Sequence, residues 1–221
     1  METLDMTSKT DFINIEDTKF TIVVPPKCGS TAIYTSVYNF ENNVNLNTPE
    51  IVNIEDVDYI HGNVGYVTHI NPRNPILIAI HRDPVERFIS GYRHWILDLK
   101  QPCSYSRWEK CKVTCFDSFM DSLAYEIKKH PSSAITHHFE PQSNVFQKLK
   151  YHYTLPMDKM YRLESIIKGF KIVYDVNSIN SNDKEGRPKF SPSKRQIERI
   201  KEFYKEDYNN GWDGITCKIP I

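Results

Sequence analysis

The chain has 221 residues, and Lys plus Arg and Asp plus Glu both number 28, so the formal net charge at pH 7 is zero. That balance excludes a global field drawing the molecule to nucleic acid or an anionic membrane, and any anion must be met by locally focused cations. No window approaches the roughly 18 uninterrupted apolar residues of a spanning helix, and the length suits one domain with a sizeable core.

The N-terminus, Met1 to Asp11, is polar rather than signal-like, which predicts a soluble, cytoplasmic chain. Residues 1–18 read as a flexible arm and 19–221 as a single domain. Phe20 to Val24 is an apolar run, followed by Pro25-Pro26-Lys27-Cys28-Gly29-Ser30-Thr31-Ala32 and by Ile33, Val37 and Phe40 at helical spacing. The pattern predicts strand, tight loop, helix. Free backbone N–H groups and the helix dipole at such a start favour an anion, and Lys27 adds a full charge, so the loop reads as a phosphate cradle. Lys27 precedes the only Gly, unlike the nucleoside-triphosphate loop, in which two Gly come before the Lys, and no acidic strand-end residue for magnesium is evident.

Glu41 to Thr48 is Asn-rich and reads as a solvated turn; Ile51 to Ile60 mixes apolar and acidic residues, and Asn71-Pro72-Arg73-Asn74-Pro75 is a turn. Ile76 to Ile80 is a continuous apolar run, the signature of a strand buried on both faces of a parallel sheet. It ends in His81-Arg82-Asp83-Pro84-Val85-Glu86-Arg87-Phe88-Ile89-Ser90-Gly91-Tyr92. Asp83 suits a helix cap and Pro84 the first turn, so Arg82 falls at the carboxyl end of a strand, where open α/β sheets bind ligands, with Ser90 two turns on. Arg holds phosphate with two parallel hydrogen bonds, and a hydroxyl completes such a site.

Tyr92 to Leu99 continues that helix. Phe116 to Lys129 predicts an amphipathic helix with Phe116, Phe119, Met120, Leu123 and Ile127 on one face. His137-His138-Phe139-Glu140-Pro141-Gln142 opens a loop, Met160 to Leu163 reads as a strand leading to Glu164, and Ser193 to Tyr208 as a charged helix. Strands and helices alternate, which predicts a three-layer α/β domain with a central, mainly parallel sheet. The five Cys are an odd number; Cys103, Cys111 and Cys115 lie in one polar, aromatic segment that could hold a bridge, but they lack the four-ligand spacing of a zinc site, and free thiols and no metal are expected.

Pro26-Lys27-Cys28-Gly29-Ser30-Thr31, followed by Arg82-Asp83-Pro84-x-x-Arg87-x-x-Ser90-x-Tyr92, resembles the two nucleotide motifs of sulfotransferases that use 3′-phosphoadenosine 5′-phosphosulfate (PAPS). The resemblance runs from about Phe20 to Tyr208 and implies a P-loop-like fold. It places Lys27, Cys28, Gly29, Ser30, Thr31 and Ala32 around the 5′-phosphosulfate and Arg82 and Ser90 on the 3′-phosphate. Arg187 and Lys189 lie where the family often has a basic loop closing over the nucleotide, though the segment also reads as a solvated turn. The segment from His61 to Tyr66 is similar to a His-Gly-His segment of the uronic-acid 2-O-sulfotransferases, with Asn63 at the position of the second His. His61 is thus a candidate base, and Glu55 and Glu50 are its rivals. The stretch His137 to Gln142, with the strand expected before Glu164, resembles a segment of the membrane-associated carbohydrate sulfotransferases, implying His138 and Gln142 as acceptor contacts and a glycan hydroxyl as acceptor. A kinase of a nucleotide or small molecule and a catalytically silent nucleotide-binding protein are the alternatives.

Overall fold

The computed structural model describes residues 12–46, 73–98, 116–130, 134–146, 149–173 and 190–219. They contain a four-stranded sheet in the order β1 (Phe12–Asn14), β2 (Phe20–Val23), β3 (Ile76–His81), β4 (Tyr153–Pro156). Of its three pairings two are parallel: β3 runs parallel to both β2 (Ile22 opposite Ile78) and β4 (Ile80 opposite Leu155), whereas β1 is antiparallel to β2 (Ile13 opposite Ile22). Three adjacent parallel strands, β2, β3 and β4, therefore present their carboxyl ends on one edge.

The apolar run of β3 is buried on both sides, as its sequence predicts. Ile78 and Ile80 pack with Ile22, with Ile33 and Val37 of α1 (Ser30–Asn42) and with Met160 and Leu163, while Leu77 and Ala79 face the opposite cluster of Phe12, Val23, Val145 and Phe146. The period of two puts alternate residues on opposite faces, so helices are needed on both. A third, aromatic cluster joins α2 (Pro84–Tyr92), α3 (Phe116–Lys129), α4 (Ala134–Phe139) and α7 (Lys194–Phe203) around Phe88. Phe88 is fully buried, and its ring meets Phe119, Phe139 and Tyr204 edge-on at 5.4–6.4 Å. Burial of such a ring contributes about 2 kcal/mol and each edge-on pair about 1 kcal/mol more.

Several expectations are corrected. Within the expected arm, Phe12–Asn14 is a strand: Phe12 and Ile13 are buried, and Asn14 accepts a hydrogen bond from the Thr21 hydroxyl at 2.6 Å. The strand expected at Met160 to Leu163 lies earlier, at Tyr153–Pro156; Pro156 ends it, and Met157–Arg162 is a 3₁₀ helix leading into α6 (Leu163–Ile166). Met157, Met160 and Leu163 recur every three residues, the 3₁₀ period, and turn into the core. The stretch from His137 is helix α4 followed by α5 (Gln142–Phe146) rather than an open loop. The helix after Ser90 changes to a π-helical turn over Arg93–Asp98, and the last charged helix breaks at Tyr204 into α7 and α8 (Lys205–Asn209).

Candidate active site

The β2–α1 junction is shaped by backbone rather than by side-chain caps. Lys27 and Gly29 both adopt left-handed φ, at 66° and 84°. A Cβ on Gly29 would stand 2.9 Å from Met160 Cε, so both the turn and the close methionine require glycine here. The chain turns on a bond from Cys28 N–H to Pro25 O (3.1 Å), and the first helical bond runs from Ile33 N–H to Gly29 O (3.1 Å). The N–H groups of Ser30, Thr31 and Ala32 precede that bond, Gly29 gives no side-chain cap, and the first turn holds no acidic residue. The helix start is thus left open toward an anion.

The β3–α2 junction brings a guanidinium to that loop. Arg82 Nη1 donates to the Lys27 carbonyl at 3.2 Å and its Nε to Glu86 Oε2 at 3.4 Å, leaving Nη2 with no hydrogen-bond partner among the described residues. Asp83 caps α2 by accepting from Glu86 N–H at 2.9 Å, with Pro84 in the first turn, as its sequence predicts. Ser90 lies on α2, partly exposed. Lys27, Gly29, Ser30, Thr31 and Arg82 therefore meet at one sheet edge.

A layer of buried polar groups holds the two junctions together. Arg87, 1 % exposed, donates from Nε to Pro26 O at 3.0 Å and from Nη1 to Glu140 O at 2.7 Å; its Nη2 has no partner among the described residues. Gln142 is fully buried. Its Oε1 accepts from Arg82 N–H (3.0 Å) and Cys28 Sγ–H (3.3 Å), and its Nε2 donates to Arg82 O (2.8 Å) and Trp212 O (3.2 Å). Asp207, also buried, accepts from the backbone N–H groups of Gln142 (3.0 Å) and Ser143 (2.7 Å) and so caps α5. Burial raises the Asp207 and Glu140 carboxyls above their usual range, against the pull of Arg87. Burial likewise pushes the Cys28 thiol up to about 11 despite Arg87 and Arg82, so it stays protonated and donates.

Two side chains expected to contact bound groups make bonds within the frame. Cys28, expected on the donor, turns both its thiol and its N–H inward, and Gln142, expected on the acceptor, spends its carboxamide on the main chain of Arg82 and Trp212. His138 sits partly exposed on α4, with its ring 4.8 Å from that of Trp95. Among the described residues no helix is long and apolar enough to cross a membrane, and no group of three His, Cys, Asp or Glu is arranged to hold a metal. His61, Glu55, Glu50, Asn63, Arg187, Lys189, Cys103, Cys111 and Cys115 lie outside the described residues. Arg87 and Asp207 were missed as site-forming residues. Arg87 had a signal, its place five residues after Arg82, whereas Asp207 looks in sequence like its neighbours Glu202 and Glu206.

A family model described as the sulfotransferase family matches residues 10–210. No curated protein and no solved structure matches the chain.

Proposed function

The chain belongs to the sulfotransferase family, and on that premise we propose that it moves a sulfuryl group from PAPS to a hydroxyl, with a carbohydrate as acceptor and a P-loop-like α/β domain as the frame. The observation that supports this reading is the 3.2 Å bond from Arg82 Nη1 to the Lys27 carbonyl. It sets a guanidinium beside an uncapped helix start, and two phosphates on one adenosine require two such cationic grips at neighbouring strand tips. The residues fit the donor. Left-handed Gly29 leads into the uncapped N–H groups of Ser30, Thr31 and Ala32, and a Cβ on Gly29 would meet Met160.

In this reading Lys27 and the N–H groups of Ser30, Thr31 and Ala32 hold the 5′-phosphosulfate, and Arg82 with Ser90 the 3′-phosphate. Bound PAPS supplies an activated sulfuryl group on a phosphate leaving group. The Lys27 ammonium and the positive end of α1 neutralise charge that develops on the bridging oxygen, the kind of fixed electrostatic stabilisation that dominates such transfers. His61 or Glu55 takes the proton from the acceptor hydroxyl. Arg187 and Lys189 cover the nucleotide, and His138 meets the acceptor.

Calorimetric titration tests the donor. The chain should bind 3′,5′-diphosphoadenosine without metal and more tightly than ATP with magnesium. Arg82→Ala should weaken that binding about 10- to 100-fold, the range for a lost hydrogen bond to a charged group. Preference for magnesium ATP, or unchanged affinity in Arg82→Ala, overturns the reading. Transfer of labelled sulfate to a panel of glycans and to simple alcohols tests the acceptor.

A further inference from the structure

Gln142 was expected at the acceptor, yet its side chain lies inside the frame that carries the donor grips. Its carboxamide is bonded at both ends, and the orientation is fixed by its partners. Two donors, Arg82 N–H and Cys28 Sγ–H, face the oxygen, and two carbonyls, of Arg82 and Trp212, face the nitrogen. Rotating the amide by half a turn would set donor against donor and carbonyl against carbonyl. The pair of bonds to Arg82 N–H and Arg82 O repeats what a neighbouring strand would offer, one residue beyond the end of β3. The bond to Cys28 reaches the β2–α1 loop one residue beyond Lys27, whose carbonyl receives the Arg82 guanidinium.

We propose that Gln142 is a positioning residue of the donor site, which locks the Arg82 main chain and the Cys28 thiol into one unit and thereby aims the Arg82 guanidinium across the Lys27 loop. The proposal rests on the donor reading above. Asp207 holds Gln142 in turn, by accepting from its backbone N–H and that of Ser143. Gln142 touches no donor atom itself; it acts through Arg82.

A double-mutant cycle on the full chain, read as affinity for 3′,5′-diphosphoadenosine, tests this. Gln142→Met keeps the volume and removes all four bonds. Gln142→Asn keeps a carboxamide but is one methylene too short to reach its partners at both ends, so it serves if Gln142→Met does not fold. Either substitution should weaken binding, about tenfold for Met and less for Asn, in the wild-type background, and less than about twofold where Arg82 is already Ala, because groups that act as a unit are non-additive. An equal loss in both backgrounds shows a general structural role and overturns the proposal. So does unchanged affinity, or a rise in the acceptor KM with donor affinity intact. A wild-type chain that binds no 3′,5′-diphosphoadenosine overturns the donor reading, and this proposal with it; a wild-type chain that binds while the Gln142 variants bind equally well removes the role of Gln142 alone.

Discussion

The two strand-to-helix junctions stand side by side on adjacent parallel strands, yet they are built in opposite ways. At the β2 junction the helix begins on left-handed Gly29, with no side-chain cap and no acidic residue in its first turn. At the β3 junction Asp83 caps the helix, Pro84 removes one N–H, and Glu86 adds a second negative charge. The first junction offers main-chain N–H groups to an anion. The second closes its own helix start and offers a side chain instead, the guanidinium of Arg82. In the proposed reading an anion with two charged ends is held by backbone N–H groups and the Lys27 ammonium at one end and by the Arg82 guanidinium at the other, so damage to the two junctions should differ in kind.

The largest expected effect is on the open side. Lys27→Ala should lower single-turnover sulfuryl transfer about 10²- to 10³-fold, the range seen when one stabilising donor is removed from a developing oxyanion. Lys27→Gly should lose the same rate while gaining roughly 1 kcal/mol of thermal stability, because Lys27 holds a φ of 66° that costs a side-chain-bearing residue about that much. Retained transfer in both variants would remove Lys27 from the chemistry. Next comes Gly29→Ala, which should cost about 1–2 kcal/mol in melting experiments from the left-handed conformation alone, with Met160 Cε at 2.9 Å from the new Cβ adding to it. Nucleotide affinity should fall with it, since the N–H groups of the helix start depend on that turn.

Both junctions were legible in sequence because their signals are local. Lys-x-Gly-Ser-Thr after an apolar run, and Asp-Pro after another, are read within a dozen residues, and α3 showed its apolar face in the same way. What sequence did not show is what joins them. Gln142 meets Cys28 across 114 residues and Arg82 across 60, and Asp207 reaches Gln142 across 65; no periodicity marks such pairs. The edge strand β1 was hidden for another reason. Three residues ending in Asn14 carry too little alternation to register, and the Thr21–Asn14 bond that fixes it is a tertiary contact. At Met157 to Leu163 the apolar residues have the 3₁₀ spacing, which a run of Met, Tyr and Leu disguises as a strand.

On the closed side, Asp83→Ala should remove about 1 kcal/mol of stability through the lost cap. The Tyr208 hydroxyl also loses its partner, Asp83 Oδ2, at 3.1 Å. Nucleotide affinity should hold or rise, since a negative charge beside Arg82 is removed and the start of α2 is opened. Set against Gly29→Ala, which should lose stability and affinity together, this separates a helix start that binds from one that only folds. Equal losses of affinity at Asp83 and Gly29 would erase the contrast.

The smallest expected effect lies beneath the closed junction, at His81. Its ring is fully buried, with Gly214 N–H donating to Nδ1 at 3.3 Å and Nε2 paired with the Thr216 carbonyl at 2.8 Å. Because Nδ1 faces a donor it must accept, so the neutral Nε2–H tautomer is the one that fits. Burial lowers the His81 pKa below its ordinary value, against the weaker opposing pull of the Thr216 carbonyl, Asp213 and Asp158. A histidine with a depressed folded pKa binds its proton first in the unfolded chain. Above the unfolded value of about 6.5 both states are neutral and His81 adds no pH dependence. As pH falls below that value the unfolded state takes up the proton while the folded state resists, and stability is lost until the folded pKa is passed. Melting temperatures measured from pH 8 down to pH 5 should therefore fall more steeply in the wild type than in His81→Gln, which cannot titrate. Gly214, whose added Cβ would run into the main-chain nitrogen of Asp83, packs this C-terminal segment against the capped junction. Parallel pH profiles for the two proteins would mean that the imidazole is protonated in place without disturbing Gly214, and that the closed junction does not depend on a neutral ring beneath it.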